Sequence, residues 1–303
     1  FVAAPRLPDQ RAAVEAPHGL VTSAHVLASE AGLEMLKRGG NAVDAAVATG
    51  LALTVVYPIA GNIGVGGFMV IHLADPATPG GRQLVIDYRE TAPAAATRDM
   101  YVDAGGQVMA GPDSSIVGWR ASGVPGTVAG LALALQKYGS GRLTWAEVCE
   151  PARRLAAHGH VVSAGTAASL RAKAKIFTLF DESKRVYLNG GAYWNAGDVW
   201  RQPDLAATLA RLQKDGPREF YEGETAKKIA DAMAKNKGTI TLADLKAYQA
   251  VERAPLRGTY RGHDIVTMPP PSSGGIALLQ MLAMLEPFDL PALGHHSAAK
   301  YQL

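Results

Sequence analysis

Cysteine is almost missing from this chain: Cys149 is the only one in 303 residues. An intrachain disulfide is therefore impossible, and a cysteine-built metal cluster is excluded. Lying on a stretch that reads as a helix over residues 143–155, Cys149 is expected to be a small core residue rather than a nucleophile. Charge of one sign never accumulates. The 30 Lys and Arg nearly balance the 27 Asp and Glu, for a net charge of +3. No basic run or aromatic interleaving occurs, so nucleic acid is not an expected partner. No apolar run reaches the ~18 residues of a membrane span. The closest, residues 45–56, is too short and carries Thr49, Gly50 and Thr54.

Several catalytic signatures are also missing. Among the eight histidines, His158 and His160 lie two apart and His295 and His296 are adjacent, but no His-Glu-x-x-His pair exists. No metal is expected, and no cofactor. Ser114-Ser115 and Ser122-Gly123 lack the Gly-x-Ser-x-Gly elbow of hydrolase nucleophiles, so a serine triad is not expected either. What the chain does have is glycine, 33 residues, beside long apolar stretches, with 48% hydrophobic residues overall. The usual glycine share is ~7%, and the excess points to close backbone approaches within a packed core. The chain begins Phe1, followed by Arg6-Leu7-Pro8-Asp9-Gln10-Arg11. Such a start fits removal of an export signal, and a trimmed chain would begin the same way.

Periodicity organises the rest. Leu27, Ala31 and Met35, with Ala28, Gly32 and Leu36, give a helix over 26–38 that stops at Gly39-Gly40. Asn41 is a suitable N-cap for a second helix over 42–56, apolar nearly all round and so expected to be buried. A glycine loop over 61–67 leads into a strand over 68–73. A turn region over 75–81 separates it from a second strand over 84–88, which suggests an antiparallel hairpin. Beyond Val128 the pattern is mostly helical: 128–138, then 205–214 capped by Asp204, then 223–235 and 242–248. Residues 256–268 return to extended structure, and a final helix is expected over 276–285. This order suggests an α+β layered fold without an internal domain boundary across residues 1–303.

Three places could carry chemistry. Arg89 emerges at the end of an apolar strand, where a fixed guanidinium can take a carboxylate through two parallel N–H···O bonds. On spacing alone, the plainer reading is a structural ion pair with Asp87 or Glu90. The loop Gly61-Asn62-Ile63-Gly64-Val65-Gly66-Gly67 is a poor phosphate loop, because a helix precedes it, a strand follows it and no Gly-Lys-Ser/Thr is present. A tight backbone crossing beneath a sheet is the better account. In Pro269-Pro270-Pro271-Ser272-Ser273-Gly274-Gly275, a helix N-terminus could hold an anion, but Ser272 or Ser273 more simply caps the following helix.

Taken together, Gly39-Gly40-Asn41-Ala42-Val43-Asp44-Ala45-Ala46, Tyr88-Arg89-Glu90-Thr91-Ala92-Pro93 and the 268–275 segment resemble the large subunit of the gamma-glutamyltransferases. So do Gly123-Val124-Pro125-Gly126-Thr127-Val128-Ala129-Gly130 and Phe220-Tyr221-Glu222-Gly223, in the family's order. The resemblance implies the four-layer α-β-β-α sandwich of the N-terminal-nucleophile hydrolases, completed by a small subunit cut from the same precursor. It implies a γ-glutamyl acyltransferase and glutathione hydrolase, periplasmic or secreted, in which the new N-terminal Thr of the small subunit is the nucleophile.

No Thr-Thr-His stretch of the kind that opens the small subunit occurs here, so no catalytic residue is expected in this chain. Leu303 falls short of the family's cleavage site, which implies a further segment. Arg89, by the resemblance, binds the α-carboxylate of the γ-glutamyl donor. Two other readings remain: an amidase like the glutaryl-cephalosporin acylases, which share the scaffold, and a non-catalytic subunit that binds γ-glutamyl peptides.

Overall fold

The structure, a computed structural model, describes residues 15–74, 78 and 80–303. The polar start at residues 6–11 and most of the 75–81 turn lie outside the described residues.

Helix α1 (Val26–Lys37) ends where Gly39 turns to φ 84° and Gly40 N–H returns to the Met35 carbonyl at 3.0 Å. Helix α2 (Ala42–Val56) opens with a capping box: the Asn41 side chain accepts Val43 N–H and Asp44 N–H, and Asp44 accepts Asn41 N–H. The same Asp44 oxygen takes Ser140 N–H at 2.9 Å, so a fully buried carboxylate joins two helix ends. The two helices cross closely because Gly32 has no side chain; a Cβ there would lie 2.9 Å from the Ala45 carbonyl oxygen. As its pattern suggests, α2 is covered on nearly every side.

Strands β1 (Phe68–Leu73) and β2 (Arg82–Asp87) form the expected antiparallel hairpin, with Met69 opposite Ile86 and Ile71 opposite Leu84. Ile71, Leu84 and Ile86 join the core built around α2, and Val85 on the other face of β2 is also fully buried. Helix α3 (Thr127–Tyr138) packs its Val128, Leu131 and Ala134 into that core. Helix α4 (Trp145–His158) starts at the Thr144/Glu147 capping box and keeps Cys149 fully buried. Burial pushes the Cys149 thiol upward, so it stays protonated and unreactive.

A smaller aromatic cluster follows. Strand β3 (His160–Val161), helices α5 (Ala164–Ala172), α6 (Ala174–Phe177) and α7 (Asp181–Tyr187) and strand β4 (Val199–Trp200) gather around Trp200, Leu170 and Val162. Helix α8 (Pro203–Asp215) begins earlier than expected. Pro203 opens it, since the first turn needs no N–H from that residue. Asp204 therefore sits inside the first turn and is not the cap. Gln202 reaches back to the Val55 carbonyl at 2.8 Å and closes the end of α2.

Helices α9 (Glu219–Glu222), α10 (Glu224–Lys235) and α11 (Leu242–Ala247) complete the helical layer. Strand β5 (Val251–Arg253) then pairs with β2, giving the sheet order β1-β2-β5 among the described residues. Strands β6 (Leu256–Tyr260) and β7 (His263–Thr267) form a separate hairpin. Helix α12 (Ser273–Leu285) lies against it at Gly258, where a Cβ would come within 2.6 Å of Leu279. A short α13 (Ala298–Gln302) follows, so the 276–285 helix is not the last and starts three residues earlier than read. The architecture is α+β: a helical layer on one antiparallel sheet, with a hairpin and its helix beside it.

Candidate active site

Arg89 stands just beyond the end of β2. The ladder runs one pair past the strand, with Tyr88 N–H to Gly67 O at 3.0 Å and Gly67 N–H to Tyr88 O at 3.2 Å. There the chain leaves it, and its next pairing is the Thr91–Val124 bridge, with Val124 N–H to Thr91 O at 2.8 Å. Between these points Arg89 N–H donates to Asp87 Oδ1 at 3.0 Å, and the Arg89 carbonyl accepts the Tyr248 hydroxyl at 2.7 Å. Further on, Ala94 N–H reaches Asp244 Oδ1 at 2.7 Å.

The guanidinium itself is poorly neutralised. Asp87, one of the two acids that could have paired with it, takes Arg253 Nε at 2.7 Å instead. Glu90 Oε1 accepts Gly66 N–H at 2.8 Å, and its other oxygen lies 3.9 Å from Arg89 Nε, at the outer limit of an ion pair. The Arg89 side chain is 55% exposed, with its guanidinium 5.8 Å above the Phe68 ring. A positive, planar, five-donor group is thus held at its base and open at its tip, and two parallel bonds to a carboxylate are what such a group makes best.

The glycine loop lies under this segment, as a tight backbone crossing. A Cβ on Gly66 would stand 2.7 Å from Glu90 N and 2.8 Å from Arg89 Cα. Val65 O accepts both Gly126 N–H and Thr127 N–H at 2.9 Å, tying the loop to the start of α3. Gly126 leaves no room for a side chain either, since a Cβ would run into the Tyr88 carbonyl and the Tyr248 hydroxyl. Burial raises the Tyr88 phenol to about 12, and burial followed by the nearby Tyr221, Asp87 and Glu90 raises Tyr248, so both are protonated donors at neutral pH.

The Pro-rich segment behaves as a cap: Ser272 Oγ accepts Gly274 N–H at 3.2 Å at the start of α12. His160 packs against Trp200 and His25 with neither ring nitrogen hydrogen-bonded. Among the described residues, no three His, Cys, Asp or Glu are placed to hold a metal. Tyr248, Arg253 and Asp244 escaped the sequence reading. They act on Arg89 and its neighbours from more than 140 positions away, and no local pattern announces that.

The fold is that of the N-terminal-nucleophile hydrolases, and the chain superposes on members of that class. A family model described as Gamma-glutamyltranspeptidase matches residues 28–303, and the chain belongs to that family. It is 45% identical over 293 residues to a glutathione hydrolase proenzyme of Escherichia coli (strain K12), an alignment covering 96% of this chain and 49% of that protein. An acylase ACY 1 proenzyme of Pseudomonas sp. (strain V22) is 39% identical over 98% of this chain and 53% of its own length. Among solved structures, Helicobacter pylori gamma-glutamyltranspeptidase superposes with a TM-score of 0.89 at 43% identity, covering 95% of this chain and 80% of that one. The chain spans about half the length of the curated relatives it matches. Among the described residues, no helix is long and apolar enough to cross a membrane.

Proposed function

We propose that residues 1–303 are a single large-subunit unit of a γ-glutamyltransferase and glutathione hydrolase, periplasmic or secreted, working as a heterodimer with a small subunit from the same precursor. The nucleophile is the N-terminal Thr of that small subunit. Its hydroxyl oxygen bonds to the γ-carbonyl carbon while its α-amino group takes the hydroxyl proton. The C–N bond then breaks and the proton passes to the leaving amine, which is cysteinylglycine when the donor is glutathione. Water or an acceptor amine attacks the acyl-enzyme in the second half.

In this reading the present chain supplies binding rather than the nucleophile. Arg89 holds the donor's α-carboxylate, so that part of the donor's binding energy fixes the γ-carbonyl in place for attack. The observation that carries the proposal is the open guanidinium of Arg89, with Asp87 paired to Arg253 and the free Glu90 oxygen 3.9 Å away. No cofactor or metal enters the reaction.

The similarity to an acylase proenzyme favours one competing reading, a glutaryl amidase, because a glutaryl group also ends in a carboxylate that Arg89 could hold. Three p-nitroanilides separate the possibilities on the processed enzyme. The γ-glutamyl anilide has both the α-carboxylate and the α-amino group, the glutaryl anilide lacks the amine, and the γ-aminobutyryl anilide lacks the carboxylate. The proposal expects the first to be cleaved best. Preference for the glutaryl anilide supports the acylase reading, and turnover of none of them supports a non-catalytic binding subunit.

A further inference from the structure

Both backbone polar groups of Arg89 are held by side chains, unlike those of Tyr88 before it. The N–H goes to Asp87 and the carbonyl to the Tyr248 hydroxyl at 2.7 Å. Without the second of these bonds, the peptide after Arg89 could turn between two fixed points, the Tyr88–Gly67 pair and the Thr91–Val124 bridge. A guanidinium lies far from its own Cα, so a small turn of the backbone becomes a large movement at its tip. A two-bond contact tolerates little of that, since both N–H···O bonds need the planar guanidinium in one orientation.

Tyr248 is itself well fixed. It is 4% exposed, and its ring stacks on Tyr221 with centroids 5.7 Å apart and planes 9° from parallel. The Tyr221 hydroxyl donates to Pro125 O at 3.0 Å and accepts Ala129 N–H at 3.1 Å. The stacked pair therefore ties together two strips of backbone, one carrying Arg89 and one leading into α3, with Gly126 in the narrow space between them. Packing alone does not need the Tyr248 hydroxyl, because a phenylalanine would fill the same volume. The hydroxyl is aimed at the arginine's own carbonyl.

We infer that Tyr248 is a positioning residue for Arg89: its hydroxyl fixes the peptide after Arg89 and so the direction in which the guanidinium meets a substrate carboxylate. The inference rests on the proposed carboxylate-binding role of Arg89.

The test uses the processed two-chain enzyme with Tyr248→Phe, Arg89→Ala and the double variant. Each is assayed with γ-glutamyl p-nitroanilide and with γ-aminobutyryl p-nitroanilide, which lacks the carboxylate. Because KM does not depend on how much of the enzyme folds, a poor yield of the Phe variant does not obscure the result. The expected result is a rise of about three- to tenfold in KM for the γ-glutamyl donor, the size of one lost hydrogen bond, with kcat changed by less than about twofold. KM for the carboxylate-free donor stays put, and Tyr248→Phe adds nothing on the Arg89→Ala background. Equal shifts on both donors, additive losses in the double variant, or no shift at all would each overturn the inference. The two levels separate cleanly. If Arg89→Ala alone harms both donors equally, the carboxylate reading fails and takes the inference with it. If Arg89→Ala discriminates between the donors but Tyr248→Phe does not, only the inference fails.

Discussion

Asp87 and Arg253 form a cross-strand ion pair, Nε to Oδ2 at 2.7 Å, while the other oxygen of Asp87 holds the backbone N–H of Arg89. The pair occupies the acid that would otherwise neutralise the arginine two residues on. Asp87 is 8% exposed at its side chain and Arg253 is 40% exposed, so the interaction lies between a surface pair and a buried one. Arg253→Ala should destabilise the fold by about 1–3 kcal/mol, since it leaves a desolvated carboxylate without its cation. It should also raise KM for the γ-glutamyl donor, because Asp87 then becomes a competing partner for Arg89. Thermal unfolding and donor kinetics on the one variant check both expectations.

Arg89→Ala should weaken donor use while leaving folding and precursor cleavage largely intact. A charge-assisted two-bond contact at a half-exposed guanidinium contributes ~1.5–3 kcal/mol, or roughly 10- to 150-fold in kcat/KM. Arg89→Lys should recover only part of this, since an ammonium cannot offer two coplanar donors. Steady-state kinetics with donors that have and lack the α-carboxylate are the measurement. An equal loss on both would make Arg89 a structural residue.

Gly126→Ala places a methyl group against the Tyr88 carbonyl and the Tyr248 hydroxyl, in a crossing with no spare room. Overpacking of this kind costs about 1–3 kcal/mol, and the contact with rigid backbone puts this site at the upper end. A fall in the thermal midpoint larger than that of an alanine placed at exposed Gly106 checks it. A Cβ at Gly106 meets nothing, although its positive φ of 78° adds some strain of its own.

His160 is 5% exposed, and burial, followed by the neighbouring His25, lowers it from 6.5 to about 4. Between those values the unfolded chain binds a proton that the native one does not. Stability therefore falls as pH drops from 6.5 to about 4, and this contribution levels off below. The loss attributable to this one ring is up to roughly 3 kcal/mol. His160→Phe should flatten the dependence of the thermal midpoint on pH across that window. An unchanged slope would mean that other groups set the acid sensitivity.

Helix α12 exposes Ile276, Leu278, Met281 and Met284, while Gly275 is its buried residue. Apolar patches beyond a few hundred Å² are uncommon on monomers. Produced without a small subunit, the chain should self-associate or stay partly unfolded, and Met281→Lys with Met284→Glu should reduce the association. Sedimentation showing a monomer, together with a cooperative thermal transition for the unmodified chain, would contradict this.

Local signals located most of the longer elements, although the Asp204 cap and the start of the 276–285 helix were misplaced. The 3.6-residue spacing and the Asn41 cap located α1 and α2, and two apolar runs separated by a turn region located the β1–β2 hairpin. Helices α5 to α7 were not read, because they are short and Asp181–Tyr187, for one, buries no residue. Strand β5, Val-Glu-Arg, has no β-forming pattern of its own and is defined by its pairing with β2. In the same way the motif around Arg89 singles it out as a candidate, whereas the residues that hold its backbone carry no such local signal. Tyr248 and Arg253 reveal themselves only through hydrogen bonds that close loops of 159 and 166 residues.

Those long closures set an order of assembly. Helices α1 and α2 meet through neighbouring sequence and can associate as soon as both have left the ribosome. Arg89 is made soon afterwards, but Asp244, Tyr248 and Arg253 emerge only some 150 residues later. Until then the arginine segment has its glycine loop beneath it and nothing to fix its carbonyl. The end of the sheet that carries Arg89 is therefore its last part to acquire its shape, and a nascent chain halted before Tyr248 carries Arg89 without the hydrogen bond that holds its carbonyl.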